Sequence, residues 1–244
     1  MRKLLPLLQL AIGACLYNTA PAQNLVSQNP SIEVLSNQYD AEVGYSGRIF
    51  NGAEYGIKYA DVVDHAFLVS EWQPGSINFL DREYKGLELR YDIVNDLVVL
   101  KHYNPNNGIS ISIMPAQEKI NSFTLASVKF VRLSPQVTGE QKSRFYELIV
   151  DKEYKLIARH TKEKFIDKSR GAPVVGFQHK VKLYLKKDNE LVIIRSKRAL
   201  LKVLEDKKKE LAEYSRARKL YWRENPKRAA AVLVSHYFDL KAEN

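Results

Sequence analysis

The chain has 244 residues, 45% hydrophobic and 27% charged, with a formal net charge of +10 at pH 7. That length holds one domain with a full core, or two small ones. The single cysteine, Cys15, excludes a disulfide framework and a cysteine-ligated metal site.

The chain opens on Met1-Arg2-Lys3, an apolar run follows over 4–16, and small residues stand at Ala20 and Ala22. A positive start, a short apolar stretch and a small-residue exit predict a cleaved secretory signal over 1–22. The run falls short of the roughly 20 apolar residues a spanning helix needs, and no later stretch is long and apolar enough to span. Ile12-Gly13-Ala14-Cys15 also resembles a lipoprotein cleavage box, so lipidation at Cys15 stays open as a second route of export. Both routes predict a periplasmic or extracellular protein. Cleavage after Ala22 leaves a chain without cysteine, and so without a thiol nucleophile.

Residues 23–45 are dense in Asn, Gln and Ser and read as a loosely ordered lead-in. From 46 to 195 the signals are those of an antiparallel β domain. Gly47, Asn51-Gly52 and Gly56 punctuate short aromatic segments, 65–69 and 76–80 read as strands, and Pro74-Gly75 reads as a break. The clearest stretch is 84–102. Leu87, Leu89, Tyr91 and Ile93 alternate with Glu88, Arg90 and Asp92, the period of a strand with one dry and one wet face. Asn95-Asp96 then makes a tight turn into 97–100. A two-residue loop sets Ile93 opposite Val98 and Tyr91 opposite Leu100. Alternation recurs at 109–113 and 127–133. Further hairpins are predicted for 145–150 with 154–158 and for 181–185 with 191–194, with 166–176 as a loop between them. Consecutive hairpins predict an antiparallel β-meander, curled into a roll or partial barrel.

The period changes after Ser196, a predicted N-cap. Leu200, Leu204, Leu211, Tyr214 and Tyr221 fall on one helical face. Asn225-Pro226 opens a second helix, with Ala229, Val232, Leu233, His236, Tyr237 and Leu240 on its apolar side. Neither helix is stable alone, so the helical tail over 196–244 must pack on the sheet. The fold class is α+β, with two C-terminal α-helices.

Charge divides unevenly. Residues 23–141 hold 9 Lys and Arg against 14 Asp and Glu, a net of −5, whereas 142–244 hold 27 against 14, a net of +13. Export argues against nucleic acid as the acidic partner and leaves an anionic surface or an acidic protein. The cations concentrate around Arg216, Arg218, Lys219, Trp222 and Arg223, a mixture suited to an anionic partner. The competing reading packs Leu220, Tyr221 and Trp222 inward and uses the cations against the helix dipole.

Other chemistry is sparse. No two of His65, His102, His160, His179 and His236 sit at a chelating spacing. Asp61-Val62-Val63-Asp64-His65 gathers metal-ligand residue types but reads first as a turn. Glu88, Asp92 and Asp96 are candidate acid–base carboxylates that read first as neutralised surface groups. Nucleophile-elbow, phosphate-loop and dinucleotide signatures are absent, and no cofactor or metal is predicted.

Asn51-Gly52-Ala53-Glu54-Tyr55, His65-Ala66-Phe67, Tyr91-Asp92-Ile93 with Asp96-Leu97-Val98-Val99, and the basic helices of 197–237 together resemble a group of exported bacterial envelope proteins without assigned function. The likeness covers roughly residues 48–240. This sequence has Ala66 where that group usually carries proline. The resemblance implies export and a single domain, and it transfers no catalytic residue. The sequence thus reads as a non-enzymatic exported protein that binds another envelope component. A carrier or sensor with a small-molecule or lipid cavity inside the roll is the second reading, and a hydrolase built from scattered residues the third.

Overall fold

Strands form where the apolar alternation runs, and they hydrogen-bond into one sheet. The computed structural model describes residues 47–57, 59, 62, 64–104, 108–168, 173–188 and 190–242. The expected signal over 1–22, Cys15 and the lead-in over 23–45 lie outside them. The strands are β1 (Ala53–Glu54), β2 (Gln73–Phe79), β3 (Arg82–Asp92), β4 (Leu97–Asn104), β5 (Ile109–Met114), β6 (Ile120–Leu125), β7 (Val128–Leu133), β8 (Arg144–Asp151), β9 (Lys155–Asp167), β10 (Val174–Lys187) and β11 (Glu190–Ile194). Their order is β1-β5-β4-β3-β2-β6-β7-β8-β9-β10-β11, and every neighbouring pair is antiparallel. Two meanders, β2–β5 and β6–β11, join where β6 pairs with β2.

The sheet curls without closing. Asp96, in the β3–β4 loop, is bonded to Arg159 on β9, five strands away in sheet order. Ile93 O likewise accepts from the Lys162 N–H at 3.3 Å. Aromatic rings fill the inside of the curl: Tyr91, Phe123, Phe130 and Phe145 are each at most 2% exposed. Tyr91 meets Phe123 and Phe130 edge-on at 5.1 and 5.2 Å, the arrangement that ring quadrupoles favour.

Several expectations change in detail. The β3–β4 loop has four residues, 93–96, so Tyr91 faces Val98 and Leu89 faces Leu100. Asp92 is the cause: its carboxylate accepts from the Val94 and Asn95 N–H groups at 2.9 and 3.0 Å and closes the turn on itself. The slip is two residues, so the same side chains still face inward. Residues 65–69 make only an isolated bridge, Phe67 to Asp92, rather than a strand. Pro74-Gly75 lies within β2, with a bulge between Gly75 and Ile77. The 166–176 region is mostly strand, because β9 continues through Asp167 and β10 begins at Val174. These two strands run nine residue pairs, Arg159↔Lys182 to Asp167↔Val174, past their partners β8 and β11.

The tail carries α1 (Lys197–Val203), α2 (Lys208–Ala217) and α3 (Pro226–Ala242). The first predicted helix therefore bends at Leu204, where ψ is 47°. The bend keeps Leu200, Leu204 and Leu211 in one core, all 0% exposed. Ser196 Oγ caps α1 by accepting from the Ala199 N–H, and Asn225 Oδ1 caps α3 through the Arg228 N–H. Leu233, Val234 and Tyr237 of α3 join these leucines against Leu156, Leu183, Leu185 and Ile194 of the sheet. The molecule is thus α+β as expected: a curled antiparallel sheet, left open, with C-terminal helices packed on it. Among the described residues no helix is long and apolar enough to cross a membrane.

Candidate functional site

The basic patch separates into two parts. Arg216 in the last turn of α2, and Arg218, Lys219 and Arg223 after it, are exposed, and Lys219 has φ +51°. Trp222 and Leu220 pack against the helix–sheet core, while Tyr221 stays 57% exposed. Inward packing therefore holds for two of the three apolar residues.

The other candidates are engaged in structure. Asp61 lies outside the described residues. Asp64 accepts from the His65 N–H at 2.7 Å and faces Lys162 Nζ at 3.7 Å. Glu88 is on the surface, 2.9 Å from Lys101. Asp92 and Asp96 are buried, against expectation, at 0% and 7% exposure. Asp92 accepts from Tyr55 OH and Asn95 Nδ2 at 3.0 and 2.8 Å. Asp96 Oδ1 takes Arg159 Nη1 at 2.6 Å and Tyr91 OH at 2.5 Å. Both carboxylates are committed to holding the β3–β4 loop. Among the described residues, no group of three or more His, Cys, Asp or Glu side chains is arranged to hold a metal ion.

The site that sequence reasoning missed is built around His160. Its Nε2 lies 2.6 Å from Glu147 Oε2 and its Nδ1 lies 3.0 Å from His179 Nε2. Lys227, in the first turn of α3, donates to both oxygens of Glu147, at 2.8 and 3.1 Å. Glu147 and His160 are only 6% and 5% exposed. Register explains the convergence. His160 on β9 faces Val181 on β10, so His179 is its diagonal neighbour, and Glu147 on β8 faces Ala158, two residues before His160. Ending β9 at 158 and starting β10 at 181 hides both histidines. Extending the two runs in register would have brought them onto one face.

Burial alone would raise the Glu147 pKa. The bonds from His160 and Lys227 outweigh it and hold the carboxyl below the usual glutamate range. Burial, then the charges of His160, Lys162 and Lys227, pull His179 below the ordinary histidine value. Both causes favour the uncharged ring of His179.

The chain of groups ends in a cleft of about 590 Å³, within the range of small-molecule sites. Val181, Leu183, Ile193, Ile194, Trp222 and Pro226 form its apolar surface. Lys182, Arg195 and Lys227 give it a cationic character, with His160 and His179 at one side. It lies between the outer strands β9–β11 and the start of α3, outside the curl. Trp222 belongs both to this cleft and to the predicted basic patch. Such a cavity can bury an apolar chain while cations meet an acidic group. No family model, curated protein or solved structure matches this chain.

Proposed function

We propose that this protein binds a single-chain anionic amphiphile, with the apolar chain in the cleft and the acidic group among Lys182, Arg195 and Lys227. The cleft carries the reading: it joins apolar side chains to Lys182, Arg195 and the positive N-terminal end of α3, where Lys227 is already paired with Glu147. The ring-filled curl favours this external site over a cavity inside the roll. The exposed cations Arg216, Arg218, Lys219 and Arg223 extend the positive surface beside Trp222 and suit an anionic envelope component. As an exported protein, the chain would meet such molecules at the bacterial envelope.

Calorimetric titration with dodecanoate tests this. The wild type is expected to bind one equivalent, and dodecylamine is expected not to compete. Arg195→Gln with Lys182→Gln should weaken binding about tenfold, and Ile193→Glu should abolish it. Equal binding of dodecylamine, or full binding by Ile193→Glu, would refute the reading.

A further inference from the structure

We infer that the cleft is proton-coupled: an anion bound in it draws a proton onto the His160–His179 pair, so its affinity rises as pH falls through the histidine range. This rests on the binding reading above and adds regulation to it.

The contact between the two rings limits their charge. His160 Nδ1 and His179 Nε2 stand 3.0 Å apart, and such a contact needs one N–H and one lone pair. It therefore holds with the pair neutral or with a single positive charge, whichever ring carries it. Two imidazolium rings would aim N–H at N–H and break it. His160 is 5% exposed and bonded to Glu147, whereas His179 is exposed, so His179 is the ring that would turn. Both rings line the cleft, and any charge they gain is felt there.

The surroundings set the sign of the coupling. On β8, Glu147 faces His160, and Lys227 of α3 bonds both of its oxygens. On β9, Lys162 donates to the His65 carbonyl at 2.7 Å and faces Asp64. Lys182 of β10 and Arg195 after β11 line the same cleft, and β7 offers the Phe130 ring, 6.1 Å from His160. Lys162, Lys182, Arg195 and Lys227 thus outnumber Glu147 and Asp64. Without an anion, this field opposes a further positive charge, in keeping with the lowered His179 pKa. An acidic group beside Lys182 and Arg195 cancels part of the field, and the pair then takes up a proton more readily. The coupling is reciprocal, so the proton strengthens anion binding by the same factor. This sign is the same whichever ring is charged first.

The probe is dodecanesulfonate, whose headgroup stays ionised throughout. Calorimetric titration in two buffers of different ionisation enthalpy reads the protons taken up. The wild type is expected to take up protons on binding at about pH 6, and its affinity should rise about fivefold from about pH 8 to about pH 5. His179→Gln, at an exposed ring, should lower the uptake and flatten the slope. Adding His160→Gln should remove what is left. Lys182→Gln, by contrast, should weaken binding at every pH and keep the slope. If the probe binds with constant affinity and no proton uptake, or His179→Gln and the double variant keep the full slope, the coupling is refuted and the binding reading stands. If neither dodecanesulfonate nor dodecanoate binds at any pH, the binding reading fails and this inference with it.

Discussion

Arg159 and Asp96 form a pair that is 8% and 7% exposed, so neither charge can turn to water if the other is lost. Arg159 Nη1 also donates to the Phe145 carbonyl at 3.1 Å, and Tyr91 OH shares the same carboxylate oxygen. Breaking a buried pair costs about 3–5 kcal/mol, while replacing both members with neutral groups can be nearly free. Asp96→Ala should therefore lower stability by about 3–5 kcal/mol in urea titration, and the double variant Asp96→Ser with Arg159→Met should recover most of it. A single variant that unfolds at the wild-type midpoint would contradict this. The Glu147 cluster predicts a pH dependence. A carboxyl with a lowered folded pKa leaves the unfolded chain binding more protons, so its contribution is lost as pH falls through the folded value. The lowered His179 pKa acts in the same sense through the ordinary histidine range. Stability should decline as pH is taken from neutrality toward the carboxylate range, and Glu147→Gln should flatten the acid part of that decline. Unfolding midpoints at a series of pH values read both effects, and an unchanged slope in Glu147→Gln would contradict the account.

At the scale of elements, β2 depends on a close backbone approach. A Cβ on Gly75 would stand 2.1 Å from Thr124 O and 2.6 Å from Leu89 Cδ1. Gly75→Ala must therefore push β2 away from β6 and weaken the seam between the two meanders. Its melting temperature should fall well below that of an exposed control, Gly56→Ala, whose Cβ meets nothing within 4 Å. Equal melting temperatures would remove this constraint. Asn225→Ala should cost about 1 kcal/mol through loss of the α3 cap. The sequence displayed the β3–β4 strands, the β8–β9 and β10–β11 hairpins, and both caps, because each rests on local periodicity or on one side chain. It hid β6, whose Ile120, Phe123 and Leu125 are buried while Ser122 and Thr124 are not, since a 3-10 turn over Gln117–Lys119 runs straight into it. It also hid the wet-face residues Arg90 and Asp92. Arg90 lies 4.4 Å over the Trp72 ring and 5.1 Å over Phe67, and those partners come from a segment where the strand expected at 65–69 forms only an isolated bridge to Asp92. The Glu147–His160–His179 site was illegible for the same reason: three strands supply one residue each, and only their register brings them together.

For the whole molecule, the division of charge matches the division of labour. The acidic half holds β1–β7 and three of the four rings of the curl; the basic half holds β8–β11, the C-terminal helices, the cleft and the exposed turn around Lys219. An anion approaching the basic half is drawn by a field that salt screens, so dodecanoate affinity should fall as ionic strength rises, whereas occupancy driven by apolar burial alone would not. Trp72 and Trp222 are the two tryptophans of the chain, and only Trp222 lines the cleft. The most direct measurement is therefore Trp222 fluorescence in a Trp72→Phe variant titrated with a dodecanoate brominated along its chain. Saturable quenching that unlabelled dodecanoate reverses, and that Ile193→Glu removes, is the predicted result. Fluorescence that stays constant through the titration, or quenching that persists in Ile193→Glu, would show that the cleft does not hold the chain.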